Sequence, residues 1–388
     1  MGHFYINKKS NTVFSFRFEI HLHILHNLFI IFWFFWESIS FNTKSITLLK
    51  IKRVNSIVLN ILKTKPQGLG ICYYSTNNNL PVNVEAKSKK DLLERKLNPH
   101  WVSGFVDAEG CFMVQVYKQA GKTGWGVTSS FSIHLHVIDI DILYALNSYF
   151  GVGNVYLNKN GKSAIYIVKK LKDIVNVIIP HFKDYPLQSG KCIDLQLWSM
   201  CIEIIVNKEH LTLKGLNKIV GLKSALNIGL PEILIANFPD IDLIKRPQFQ
   251  VNEGPLNPYW VSGFTEGDGS FYVTISKKTN YVRMCYSIGL NNRETPLILK
   301  IQKYFKGKGS IVESVDNNYN TVKYEVVSVK DLNDFIIPQF DTYRFYGNKH
   351  FNYLIWKEIL LLVNSKAHLT VEGLNKIIFL KSKLNKWD

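Results

Sequence analysis

Most of the chain is one sequence written twice in tandem, and this restricts the fold more than any other feature. Three segments return in the same order with nearly the same residues, at an offset of 158 or 159 positions. The pairs are LNPHWVSGFVDAEGCFMV (97–114) and LNPYWVSGFTEGDGSFYV (256–273), IIPHFKDYPL (178–187) and IIPQFDTYRF (336–345), and HLTLKGLNKIVGLKSALN (210–227) and HLTVEGLNKIIFLKSKLN (368–385). A constant offset over three matches predicts two domains with the same fold.

The repeat also sets the domain boundaries that we expect. They are a leader at 1–90, a first domain at 91–235, a linker at 236–249 and a second domain at 250–388. The leader contains a run of nine apolar residues, Leu28 to Trp36, whereas a membrane-spanning helix needs roughly 20. We therefore interpret the leader as a poorly ordered segment. A targeting or membrane-surface segment is the first alternative, and a spanning helix is the last.

Each copy is expected to begin with a helix. Asn-Pro pairs at 98–99 and 257–258 are typical helix starts, because Asn caps free backbone amides and Pro suits the first helical position. We expect Gly110 and Gly269 to end these two helices by adopting the left-handed conformation.

Strands follow the first helix in both copies. Apolar and polar residues alternate there, for example at Phe271, Val273 and Ile275 against their neighbours, which is typical of strands with one buried and one wet face. Further strands are expected near 152–158, 163–169, 309–315 and 321–328. Each copy is thus predicted to be an α+β domain, a four-stranded antiparallel sheet backed by helices.

Small residues lie four apart in the repeated helix, at Gly104 and Ala108 in one copy and at Gly263 and Gly267 in the other. Four-residue spacing places each pair on one helix face. Such a ridge allows close approach of two helix backbones. We therefore expect the two repeated helices to pack against each other.

Carboxylates come just after this ridge. Glu109 and Asp268 stand at the carbonyl ends of the two helices, with Asp107 and Glu266 two residues earlier. The helix dipole disfavours negative charge at this end, so two such ends in contact favour a cation between them. Carboxylates and free terminal carbonyls are the oxygen ligands that magnesium prefers. A solvated helix end is the alternative.

The composition favours a polyanionic partner. Lys and Arg number 47 against 30 Asp and Glu, which gives a net charge of +17. Nucleic acid is the first candidate, and a basic bias of the genome is the alternative. The five cysteines form no C-x-x-C pair, so neither a zinc site nor a disulfide is expected.

The segments VSGFVDAEG (102–110) and VSGFTEGDG (261–269) resemble the nine-residue signature of the LAGLIDADG homing endonucleases. The resemblance covers roughly residues 91–388. A double signature implies the single-chain form, in which two pseudo-symmetric domains make a saddle over double-stranded DNA. It also implies a monomer that hydrolyses phosphodiester bonds with Mg²⁺ at a long, non-palindromic target.

The resemblance assigns roles to the residues at the helix ends. It implies that Glu109 and Asp268 are the catalytic carboxylates and that each holds a divalent metal. The backbone carbonyls of Ala108 and Gly267 would add ligands. Asp stands in the second copy where the first has Glu, and both occur in the family, so the two metal sites are expected to be unequal.

The family also places a basic residue near the scissile phosphates. Lys191 and Lys349, each just before a predicted closing helix, are the catalytic candidates. Lys223 and Lys381 are the alternatives. An ordinary surface lysine is the other interpretation of each.

The wet faces of the two sheets are the expected DNA-reading surface, since two-stranded ribbons fit the major groove and polar side chains can read base edges there. The candidates are Gln115, Ser132, His134 and His136 in the first copy, and Thr274, Ser276, Lys278, Arg283, Ser287, Asn291 and Lys323 in the second. A solvated strand position is the alternative for each of them. Because the two sets differ, the target halves are expected to differ.

Two other functions are compatible with these patterns. One is an RNA maturase that helps its own group I intron to splice, and the other is a DNA-binding protein without catalysis. Retention of both Glu109 and Asp268 favours cleavage. The chain is rich in Phe, Tyr, Ile, Asn and Lys, which AT-rich codons encode, and this favours an organellar gene. The resemblance to the homing endonucleases implies a group I intron, commonly in a fungal mitochondrion.

Overall fold

The computed structural model describes residues 96–276, 278–316 and 319–385. The interpretation of residues 1–90 as a leader therefore lies outside the described residues. Within the described ranges, no helix is both long and apolar enough to cross a membrane.

The first copy runs from a helix to a sheet and then to closing helices. Its elements are α1 (Pro99–Glu109), β1 (Gly110–Lys118), β2 (Trp125–His136), α2 (Ile140–Phe150), β3 (Asn154–Leu157), β4 (Ser163–Val168), α3 (Leu171–Asp173), α4 (Ile179–Asp184), α5 (Lys191–Val206), α6 (Leu213–Ser224) and α7 (Glu232–Asn237). Short 3₁₀ turns precede α2 and α6, and a π-helical turn joins α3 to α4.

Within the described residues, the second copy repeats this order as far as the equivalent of α6. Its elements are α8 (Pro258–Asp268), β5 (Gly269–Ile275), β6 (Val282–Asn291), α9 (Thr295–Tyr304), β7 (Ser310–Asp316), β8 (Tyr319–Val326), α10 (Val329–Asp331), α11 (Ile337–Thr342), α12 (Lys349–Asn364) and α13 (Val371–Lys383). A 3₁₀ turn (Asn292–Glu294) precedes α9, as its equivalent (Val137–Asp139) precedes α2.

Each copy forms a four-stranded antiparallel sheet, in the order β1-β2-β4-β3 and β5-β6-β8-β7. This confirms the predicted α+β architecture. The registers match as well, because Gly110 lies opposite Ile133 in one sheet and Gly269 opposite Ile288 in the other. The register therefore shows which residues of the two copies are equivalent.

The starts of α1 and α8 follow the sequence prediction. The Asn98 side chain accepts a hydrogen bond from the His100 amide at 2.9 Å, and Asn257 accepts one from the Tyr259 amide at the same distance. Each Asn thus satisfies an amide that the helix leaves free.

The prediction for the ends of these helices was wrong. Gly110 and Gly269 are extended, with φ of −73° and −81°, and not left-handed. Their role is close packing, since a Cβ on Gly110 would lie 2.5 Å from Val106 Cγ1 and one on Gly269 would lie 2.4 Å from Thr265 Cγ2. Each glycine lets the chain turn directly from helix into strand across the last helical turn.

The two repeated helices pack against each other, as the small-residue ridge predicted. A Cβ on Gly104 would lie 2.1 Å from the Trp260 carbonyl oxygen, and a Cβ on Gly263 would lie 2.1 Å from that of Trp101. The backbones therefore approach at points where only glycine fits. This contact joins the two copies and brings the ends of α1 and α8 together.

The segment between the copies is also held in place. Arg246 forms an ion pair with Asp194 of α5 at 2.6 Å, and it donates to the carbonyl oxygen of Ala225 at 2.8 Å. Phe249 packs against the apolar cores of both copies. These contacts place residues 238–257, which contain no helix or strand, along the surface of both domains.

Candidate active site

Glu109 and Asp268, the last residues of α1 and α8, lie close together where the two helices meet. A Cβ on Gly267 would be 3.2 Å from Glu109 Oε1, so the missing side chain leaves room for the Glu109 carboxylate. Burial raises the pKa of Glu109. Burial and repulsion by Glu109 raise the pKa of Asp268 to about 6. Two acids concentrated at two carbonyl ends favour the binding of a cation.

Lys191 and Lys349 lie at these helix ends. The Lys191 ammonium donates to the carbonyl oxygens of Ala108 at 3.0 Å and Gly110 at 2.7 Å. The Lys349 ammonium donates to three carbonyl oxygens at the end of α8, including that of Gly267 at 3.1 Å. Burial lowers the pKa of both lysines. The structure thus brings both catalytic candidates beside the candidate carboxylates.

The two alternative lysines have other surroundings. Lys223 lies in the last turn of α6, near the thiols of Cys111 and Cys201. Lys381 lies in the last turn of α13. The hydrogen bonds to the carbonyl ends of α1 and α8 come from Lys191 and Lys349, which makes these two the stronger candidates.

The donor set fits a magnesium-like ion. Among the described residues, no group of three or more His, Cys, Asp or Glu side chains is placed to hold a metal. Mg²⁺ does not need one, because it commonly uses one or two carboxylates and keeps several waters. The carbonyls of Ala108 and Gly267 already accept from the lysines, but a carbonyl oxygen has a second lone pair.

Asp107 and Glu266 have a different role from the acids that follow them. Asp107 is buried and accepts from the amides of Gln188 at 2.7 Å and Ser189 at 3.1 Å. Glu266 is buried and accepts from the amides of Tyr346 and Gly347. Burial raises the pKa of both carboxyl groups. These acids hold the loops that lead into the two lysines.

A cavity of about 400 Å³ opens at the candidate site and is lined by both copies. Glu109, His134, His136 and Asp139 line it from the first copy, and Lys349 is among the lining residues from the second. The acid of one copy and the lysine of the other therefore face the same space.

Most candidate DNA-reading residues lie on accessible parts of the sheets. The exposed or half-exposed ones are Gln115, His134, His136, Thr274, Arg283, Asn291 and Lys323 on the strands, and Ser276 and Lys278 in the turn between β5 and β6. Ser132 and Ser287 are only 8% and 2% exposed, so the prediction that they lie on a wet face was wrong. Each lies on a middle strand, with a neighbouring strand on both sides. Each also pairs with the second residue of the strand that follows the repeated helix.

Glu325 is a residue of this surface that the sequence did not indicate. Its carboxylate forms ion pairs with Lys323 at 2.6 Å and with Arg283 at 3.3 Å. The Tyr272 hydroxyl donates to the same carboxylate at 3.0 Å. The available signal was the alternation along β8, which places Lys323 and Glu325 on one face of the strand.

Comparison with known proteins identifies the family. The family model described as LAGLIDADG endonuclease matches the chain twice, at 102–202 and 261–360. Probable intron-encoded endonuclease 2 of Neurospora crassa is 35% identical over 78% of this chain and 70% of that protein. Probable intron-encoded endonuclease 3 of the same organism is 34% identical over 74% of this chain, which spans about half (54%) of that protein's length.

Solved structures agree with these relatives. The meganuclease I-SmaMI bound to uncleavable DNA is 36% identical, with a TM-score of 0.71, over 76% of this chain and 99% of that one. I-LtrWI bound to target DNA is also 36% identical, with a TM-score of 0.70 over 76% of this chain and 98% of that one. Another I-SmaMI structure contains uncleaved DNA and calcium ions. Both signatures, both sheets and the contact between their helices thus place this chain in the LAGLIDADG endonuclease family, in its two-motif form.

Proposed function

We propose that this chain is a site-specific DNA endonuclease that cuts both strands of a long, non-palindromic duplex. The observation that carries the proposal is the proximity of Glu109 and Asp268 where the two copies meet, with Lys191 bound to one helix end and Lys349 to the other. There are two equivalent sets, each with one acid and one lysine, which provides one set for each strand of a duplex. The family and the DNA-bound neighbours support DNA as the substrate.

Glu109 and Asp268, with the carbonyls of Ala108 and Gly267, would hold Mg²⁺. Bound there, the ion would supply Lewis acidity to the phosphate and stabilise the attacking and leaving oxygens. The lysines contribute a fixed positive charge, because their ammonium groups are held by backbone carbonyls at the helix ends. A cation held in advance at this place stabilises charge that develops on the phosphate without having to reorganise.

The two sheets would bind one half of the target each. The net charge of +17 supports contact with many phosphates. The exposed residues of the two sheets differ at equivalent positions, as at His134 and Gly289, so each sheet would read its own sequence. The names of the relatives, intron-encoded endonucleases of fungi, support a group I intron in a mitochondrial gene as the origin.

The test is cleavage of a library of duplexes that cover intronless gene junctions, with Mg²⁺ present and the cut ends sequenced. We expect both strands to be cut at one site of about two helical turns. Glu109→Gln and Asp268→Asn should keep DNA binding, while double-strand cutting falls by roughly 10²- to 10³-fold, since each removes a ligand charge at a catalytic centre.

The matched controls are Glu203→Gln and Asp240→Asn, which make the same chemical changes at exposed positions outside the site. Both should cut like the wild type. Near-normal cutting by Glu109→Gln or Asp268→Asn would contradict the assignment of the site. A wild-type protein that bound intron RNA and cut no duplex would favour the maturase function instead.

A further inference from the structure

The backbone before each candidate lysine is held in an unusual way, by carboxylates that accept from three consecutive amides. In the first copy, the amides of Gln188 and Ser189 donate to Asp107, and the next amide, that of Gly190, donates to Glu294 at 2.9 Å. Lys191 follows directly and begins α5. Three successive amides thus donate to carboxylates before the helix starts.

The second copy has the same arrangement. The amides of Tyr346 and Gly347 donate to Glu266, and the next amide, that of Asn348, donates to Asp139 at 2.7 Å. Lys349 follows directly and begins α12. The recurrence at equivalent places makes this a property of the fold and not an accident of one loop.

The second carboxylate in each set, which accepts from the third amide, belongs to the other copy. Asp139 lies in the 3₁₀ turn after β2 and binds the loop before α12, which is 209 positions away. Glu294 lies in the equivalent turn after β6 and binds the loop before α5, which is 104 positions away. Each copy therefore supports the amide next to the lysine of its partner copy.

The fit at both contacts is close. A Cβ on Gly190 would lie 2.4 Å from Glu294 Oε1, and a Cβ on Gly347 would lie 2.7 Å from Asp139 Oδ1. The Glu294 side chain is 13% exposed. A carboxylate at the start of a helix accepts a charge-assisted hydrogen bond and complements the positive end of the helix dipole. Both effects hold the first turn of the helix, and with it the lysine, in one position.

We propose that Asp139 and Glu294 are positioning residues, each of which sets the catalytic lysine of the opposite copy. The proposal rests on the proposed endonuclease function. It makes each strand cut depend on contacts from both copies, since the lysine of one copy is positioned by a carboxylate of the other. In this arrangement, a copy that is not seated against its partner has a misplaced lysine and is slow to cut.

The test is strand-resolved cleavage of the cognate duplex, labelled on either strand, by Asp139→Ala and Glu294→Ala. A misplacement of about 1 Å can cost on the order of 10²-fold in rate. We therefore expect Asp139→Ala to slow one strand cut by roughly 10- to 100-fold and to accumulate a nicked product. Glu294→Ala should slow the other strand by a similar factor.

The lysines identify which strand is which. Lys349→Met should slow the same strand as Asp139→Ala, and Lys191→Met the same strand as Glu294→Ala. The double variant Asp139→Ala with Lys349→Met should be little slower than Lys349→Met alone, because the carboxylate acts through the lysine. A purely structural role would slow both strands together and would add to the lysine effect.

The conservative variants keep the test decisive if an alanine variant does not fold. Asp139→Asn and Glu294→Gln retain an oxygen that can accept from the loop amide but lose the charge. They should restore most of the rate on the affected strand, with a remaining loss of several-fold at most. Equal slowing of both strands by either variant, or no slowing by the alanine variants, overturns the proposal. Failure of the wild type to cut any duplex counts against the endonuclease function instead.

Discussion

The exposed faces of the two sheets differ far more than their backbones do. In the second copy, β6 and β8 carry Arg283, Lys323 and Glu325 as one ion-pair network. The register places Thr128, Ile165 and Ile167 at the equivalent positions of the first copy. Packing restrains the residues that face the core, whereas the exposed face is free to change. The duplicated fold has thus kept its core while its two faces diverged.

A second difference lies inside the domains. His181 in the first copy is buried against the hydroxyls of Ser103 at 3.4 Å and Tyr149 at 3.3 Å. Gln339 takes its place in the second copy and contacts the equivalent Ser262 at 3.2 Å. The same space is thus filled by a titratable side chain in one copy and by a non-titratable one in the other.

Mutations at the contact between α1 and α8 should lower the unfolding free energy equally in both copies. This is the largest change in stability that we expect. Gly104→Ala and Gly263→Ala each place a methyl group 2.1 Å from a backbone carbonyl oxygen. Alanine is the better helix former by about 1 kcal/mol, but the backbones must separate. We expect each variant to lose about 3 kcal/mol of unfolding free energy, at the upper end of typical overpacking costs.

Urea denaturation measures this loss. Gly289→Ala is the matched control, because its methyl group would meet only Lys323 Cγ, at 3.8 Å. Unchanged stability of both helix variants would mean that the two copies are held together by other contacts. A large loss in one variant alone would show that the contact is less symmetric than its geometry.

Acid should destabilise the first copy through His181. Burial, with a smaller contribution from His100, lowers the pKa of His181 to about 4. The unfolded chain then binds the proton more tightly, so the stability is complete above about pH 6.5 and is lost as the pH falls towards 4. Between neutral pH and about pH 5, His181 should cost the wild type roughly 2 kcal/mol of unfolding free energy, and His181→Gln should abolish this loss.

The measurement is the urea midpoint of the wild type and of His181→Gln between about pH 7 and pH 5. The reciprocal variant Gln339→His should bring acid sensitivity to the second copy. If the two wild-type copies unfold separately, the acid-sensitive transition should belong to the first. An identical pH profile for the wild type and His181→Gln would rule out this histidine as the source.

Arg283 should affect recognition only in the half of the target that the second copy binds. This is the smallest of the effects that we expect. A direct base contact is worth about 1–3 kcal/mol of discrimination. Arg283 is already ion-paired with Glu325 at 3.3 Å, which weakens any contact it makes with a base. We therefore expect a loss of discrimination at the lower end of that range. Arg283→Ala should relax selectivity roughly tenfold at one or two adjacent base pairs.

The measurement is a cleavage profile over all single base-pair variants of the target. Thr128→Ala is the matched control, since Thr128 occupies the equivalent place in the first sheet. Its effect should be small and confined to the other half. An Arg283→Ala effect that spreads over both halves, or a palindromic wild-type profile, would contradict the assignment of one copy to each half.

Several features were predictable from the sequence because they depend on local spacing. The repeat indicated two domains of one fold, and the Asn-Pro pairs indicated where α1 and α8 begin. Four-residue spacing of small residues was enough to predict the helix contact at Gly104 and Gly263. These features are encoded by residues within one or two turns of each other, so a linear pattern can contain them.

Other features depend on how distant segments meet. The alternation that predicted strands could not show that Ser132 and Ser287 are covered, because burial depends on the strands at either side. Neither could it predict the ion pairs of Glu325, which join residues of β6 and β8.

The tertiary structure alone decided the cross-copy contacts of Asp139 and Glu294. Their partners are 209 and 104 positions away, with no local spacing that relates them. The sequence by itself determined that two equivalent domains each carry an acid at a helix end. The packing of α1 against α8 decided that the loop before each lysine is held by a carboxylate of the other copy. The physical reason is that a repeat and its local spacing specify each domain and its packing helix, whereas the side chains that meet across the contact are decided only when both domains are folded and packed.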